Sequence, residues 1–139
     1  MKHNAVREGI KLGLVIATTI WIWIAAVDAL SGQPFRTFRV LGGIAQFTVL
    51  HYALNVAYGM AVVAVVHRTA KEPSLAAVLW FVLVVVEFAF VMATILLSHV
   101  GLGALAWLRI FAASLIGLVL AIFILSRRHR LVSGDEYQE

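Results

Sequence analysis

Ser74–His99 reads SLAAVLWFVLVVVEFAFVMATILLSH, twenty-six residues with a single charge, Glu87, close to the middle. At 1.5 Å per residue, about 20 residues cross a hydrocarbon core ~30 Å thick, so the stretch predicts a membrane-spanning helix with length to spare for tilt. A carboxylate at the centre of such a helix costs roughly 2.5–3.5 kcal/mol on insertion scales, and it therefore faces protein or water rather than lipid. What surrounds Glu87 is the question put to the rest of the chain.

The composition agrees with this reading. Of 139 residues, 63% are hydrophobic and 13% charged, against roughly 45–50% and 25% in soluble domains. Cysteine is absent, which removes disulfides, iron–sulfur clusters and thiolate metal sites. The net charge of +4 invites a nucleic-acid reading, but the basic residues flank apolar runs, where Lys and Arg anchor helices to headgroups. No nucleic-acid partner is expected.

Upstream of the opening stretch, LGLVIATTIWIWIAAVDAL (Leu12–Leu30) follows a basic N-terminus. It is too long for the 7–15 residue core of a signal peptide and no A-x-A pattern follows, so it predicts a first span at about 11–30. Gly9 and Gly13 form a GxxxG pair at its start. Ser31, Gly32 and Pro34 end it. Residues 35–41 mix aromatics with Arg36 and Arg39, as a segment lying in the headgroup layer would, or as the first turns of an overlong second helix would. The second span is expected at 44–66, where Thr48, His51, Asn55, Tyr58 and Gly59 fall on one helical face. The third covers about 75–98, with Trp80, Glu87 and Thr94 spaced by sevens. The fourth covers about 105–125; it carries Arg109 one turn inside, and Ala113, Gly117 and Ala121 form a small-residue packing face. Residues 131–139 read as a mobile polar tail.

Orientation follows from the Lys/Arg distribution. Lys2, Arg7, Lys11, Arg68, Lys71, Arg127, Arg128 and Arg130 fall on the N-terminal side, against Arg36, Arg39 and the intraspan Arg109 on the other. The positive-inside rule then gives four spans with both termini cytoplasmic, and short links make an antiparallel four-helix bundle in a bacterial-type inner membrane. The whole chain is one all-α membrane domain.

With that topology Asp28, His51, Asn55, Glu87 and Arg109 come from all four spans and share the outer half. Arg109 lies roughly 6–8 Å, His51 roughly 10 Å and Glu87 roughly 16 Å below Asp28. Two acids, an arginine and a histidine can neutralise one another, Arg109 reaching either carboxylate and His51 donating to one. Such a network, extended by Thr48, Tyr58 and Thr94, fixes helix order and register, with Gly59 joining Ala113, Gly117 and Ala121 as packing positions. The leading expectation is a non-catalytic accessory subunit of a larger, energy-transducing membrane complex, in contact with lipid and with other transmembrane subunits or copies of itself. One alternative is a homo-oligomeric proton- or cation-coupled transporter or channel using Glu87. Another is an electron carrier holding haem or quinone at His51, although no second histidine sits well inside a span as a matched axial ligand would. No metal site and no resident cofactor are expected. No phosphate loop, H-E-x-x-H or nucleophile elbow occurs, so no catalytic residues are assigned.

Overall fold

The computed structural model describes residues 5–99 and 106–129, except for the side chains at 90, 93–95, 97–99, 106, 107, 126, 128 and 129. Among the described residues, the regular structure is entirely helical. Helix α1 spans Ala5–Leu30, α2 Arg36–Val40, α3 Ile44–Lys71, α4 Ala76–His99 and α5 Ala106–His129, with a 3₁₀ turn at Pro73–Leu75 leading into α4. Helices α1 and α3 and the Leu108–Leu125 part of α5 are long and apolar enough to cross a membrane. Helix α4, 24 residues with one acid and no base, is the most hydrophobic of the set. The expected polar tail at 131–139 lies outside the described residues.

Helix α1 is the centre of the packing, lying against α2, α3 and α5, while α4 touches α3 and α5. The α1–α3 contact is made by glycine. A Cβ on Gly59 would stand 2.4 Å from the Gly9 carbonyl oxygen and 2.6 Å from the Gly13 nitrogen. A Cβ on Gly13 would stand 2.4 Å from the Asn55 carbonyl oxygen, and one on Gly9 would stand 2.5 Å from the Met60 Cα. In lipid, where burying apolar surface gives little drive between helices, such backbone approach maximises dispersion contact. Gly117 of α5 packs against α1 at the side-chain ends of Ile16 and Ile20, with Ala113 and Ala121 buried one turn to either side.

Helix α2 answers the question left open at 35–41. It is a separate helix, set apart from α3 by Gly42 and Gly43 at φ 104° and 96°, a conformation closed to most L-residues. It is also folded inward. Phe38 is fully buried, with its ring centroid 5.0 Å from Trp21 and 4.9 Å from Phe47, and Phe47 stacks on His51. The end of α1 holds it there. Asp28 accepts hydrogen bonds from the Thr37 backbone N–H and hydroxyl, both at 2.7 Å, which supplies one of the partners a helix start lacks.

The largest buried apolar cluster lies at one end. Leu12 and Ile16 from early α1, Val62 and Val63 from late α3, Leu83 from early α4, and Ala121 and Leu125 from late α5 form a single buried cluster. Toward the other end the helices separate.

Candidate functional site

The separation leaves a cavity of about 370 Å³ with walls from every long helix. Most of the lining is aliphatic, including Ile16, Ile20 and Ile24 of α1 and Leu54 of α3. The polar groups are Thr37 of α2 and, from α3, α4 and α5, His51, Asn55, Tyr58, Glu87 and Ser114. Their positions follow from helical spacing. His51, Asn55 and Tyr58 occupy successive turns on one side of α3, and Glu87 reaches the cavity because α4 turns a single row inward. Leu79, Leu83, Glu87 and Val91, four residues apart, are the members of that row, while nearly all other described α4 side chains are exposed. Trp80, placed on the Glu87 face by its spacing, is instead 44% exposed. The side chain of Thr94 lies outside the described residues.

His51 and Asn55 have defined partners. The His51 Nε2–H donates to the Ala17 carbonyl at 3.0 Å, since a carbonyl oxygen only accepts. Nδ1 is then the acceptor, and the Asn55 amide approaches it at 3.3 Å while also donating to the His51 carbonyl at 2.8 Å. This is the neutral Nε2–H tautomer, with both ring nitrogens engaged. Glu87 lines the cavity together with Ser114 and Tyr58. Thr48, on the same stripe of α3, turns to α1, where its hydroxyl accepts from the Trp21 indole N–H at 3.0 Å.

The five residues expected to form one network are thus divided. His51, Asn55 and Glu87 line the cavity, and His51 gives its proton to a backbone carbonyl instead of a carboxylate. Asp28 is 2% exposed and bonded to Thr37. Among the described residues it has no arginine within ion-pair distance. Arg109 is exposed and stands with Asp28, Arg36, Thr37 and Trp23 around a small pocket at the open end. The physical reason is local. Thr37 is only nine residues along the chain from Asp28, and its two donors satisfy both carboxylate oxygens.

Two features escaped the reading of the sequence. One is Glu8, 8% exposed in the first turn of α1, with its carboxylate 3.9 Å from His67 Nε2 of α3. An acid amid Arg7 and Lys11 looks solvated; its facing His67 across the α1–α3 contact was the signal to seek. The other is the Thr18–Tyr52 hydroxyl pair at 2.9 Å, which ties α1 to α3 beside His51.

Compared with protein-family models, curated proteins and solved structures, the chain matches none.

Proposed function

We propose that the chain is an integral membrane protein of four spans, an antiparallel bundle with both termini in the cytoplasm of a bacterial-type cell, whose work is the non-catalytic binding of a small lipophilic molecule between its helices. The observation that carries this is the shape of the interior. A cavity of about 370 Å³ sits at the lower end of the size range of small-molecule sites, and its walls are mainly apolar with a few convergent polar groups. His51 and Asn55 are bonded to each other and to backbone carbonyls, and most of the remaining lining is apolar, which favours a ligand with little polar surface. The cavity also ends on the packed cluster of Leu12, Ile16, Val62 and Leu83. That cluster is apolar among the described residues, with Tyr58 packed on its edge, and it favours binding over conduction through Glu87. A haem iron would need an unengaged imidazole nitrogen, whereas those of His51 are bonded to Ala17 and Asn55.

The test is native mass spectrometry of the protein in mild detergent. Wild type should retain a small lipophile or bind added ones at a one-to-one ratio. Ser114→Phe, which fills the cavity, should lose that adduct while still eluting as a folded species. Retention of the same adduct by the filled variant would sink the reading.

A place in a larger membrane assembly is a second reading, and α4 is the observation in its favour. That helix attaches by one row and leaves Val78, Phe81, Val84 and Phe88 outward, each at least 59% exposed. Migration of a tagged copy on a native gel separates the outcomes: a heteromeric band supports a subunit role, and a single small species opposes it.

A further inference from the structure

We infer that the ligand of the cavity is an amphiphile with an anionic head, a phosphate or carboxylate, held at the cavity mouth by Arg36 and Arg109 with its apolar tail between the helices. The inference rests on the cavity being a binding site, and it names the chemistry of what binds.

The mouth is the small pocket at the open end. Ile24, Thr37 and Ile110 belong to its wall and to the wall of the large cavity, so the two spaces adjoin through those three residues. Its own volume is about 30 Å³. The space is too small for an apolar tail and suits a compact polar head group.

The charge balance of the mouth is positive. Arg36 and Arg109 contribute two guanidinium charges. The one carboxylate present, Asp28, turns both oxygens to Thr37 at 2.7 Å and is nearly sealed from the pocket's open side. Arg36 donates through Nη1 to the Gln33 side chain at 2.6 Å, which orients the guanidinium and leaves most of its five donors available. Among the described residues, Arg109 has no carboxylate within ion-pair distance. Planar forks of this kind match phosphate and carboxylate oxygens in pairs.

Placement is the second argument. These arginines lie on the side the positive-inside rule leaves poor in basic residues. Two of the few that occur there converge on one pocket, drawn from α2 and α5. The tail space below is of fitting length: the cavity wall on α5 runs from Ile110 to Leu118, roughly 12 Å of rise.

The experiment compares heads at constant tail. Dodecyl phosphate, dodecanol and dodecyltrimethylammonium, at equal concentration, are added to the full-length protein in non-ionic detergent, and retained adducts are counted by native mass spectrometry. Inorganic phosphate forms a separate arm. The expected result is retention of dodecyl phosphate at least tenfold above the other two tails. Arg36→Gln with Arg109→Gln should remove that preference, and Ser114→Phe should abolish the adduct. Equal retention of all three tails, lost in Ser114→Phe, would leave the cavity reading standing and overturn the anionic head. Inorganic phosphate bound as strongly as dodecyl phosphate, with no effect of Ser114→Phe, would overturn the amphiphile. No retention of any tail would overturn the cavity reading and this inference together. The comparison of heads on wild type decides the matter even where the double variant does not fold.

Discussion

At the scale of single residues, two glycines that look alike in sequence are expected to respond differently to one methyl group. Gly59→Ala drives a Cβ into the backbone of α1, at 2.4 Å from a carbonyl oxygen, and backbone cannot turn aside. Gly117→Ala meets side chains instead, the flexible Ile20 Cδ1 end at 3.1 Å and the Ile16 Cγ2 branch methyl at 3.3 Å, which needs to give by only a few tenths of an ångström. Overpacking costs about 1–3 kcal/mol in soluble cores, so Gly59→Ala belongs at or beyond the upper end and Gly117→Ala below the lower. Thermal unfolding in detergent measures both; equal losses would show that the α1–α3 approach is less tight than described. A second prediction concerns Asp28. Hydrogen bonds to a charged group contribute about 1.5–3 kcal/mol each, and Asp28 accepts two from Thr37. Thr37→Val removes the hydroxyl bond and keeps the N–H bond, so it should cost less than Asp28→Ala. Combined with Asp28→Ala it should add little, because the partner of the hydroxyl is already gone. Full additivity in that double-mutant cycle would refute the pairing.

Among the elements, α4 is distinctive for how little of it is engaged. Leu83 is 7% exposed and Phe81 is 68% exposed, two positions apart on the same helix. Leu83→Ala should therefore cost about 2–4 kcal/mol by creating a void in the core cluster, whereas Phe81→Ala should stay within about 0.5 kcal/mol. A matched loss at Phe81 in detergent would mean that this face is covered by another protein. The long helices were legible in the sequence because hydropathy runs of this length have few other meanings in a chain so poor in charge. The face of α3 carrying His51, Asn55 and Tyr58 was legible from spacing alone. The behaviour of α2 was not. Its inward fold depends on Phe38 finding Trp21 and Phe47, and on a carboxylate nine residues upstream. Neither leaves a periodic trace in a five-residue helix. The division between Asp28 and Glu87 was hidden for the same reason: depth counting placed the residues in one half of the protein but could not say which donor each would meet first.

For the molecule as a whole, the uneven interior is the principal feature, tight at the end carrying Leu12 and Val63 and open at the end carrying Arg36 and Arg109. Under the positive-inside assignment the tight end is cytoplasmic and the open end faces outward. Reporter fusions test this directly. Fusions at Lys71 and at the C-terminus should report cytoplasm, and one at Gln33 should report the opposite side. Gln33 and Lys71 on the same side would exclude a spanning α3 and, with it, the four-span arrangement.

The glycine contact between α1 and α3 also bears on the order in which the chain is built. Both helices precede α4 in the chain, and their closest approach joins Gly9 and Gly13 to Gly59, before any of α4 has been made. The pair needs nothing later to complete it. Helix α5, by contrast, packs on α1 across most of the sequence, and the cavity has no fourth wall until it arrives. In chain order, then, the α1–α3 hairpin comes before the interior that α5 encloses last. A lipophilic molecule already present in the bilayer meets that interior while it is still unfinished.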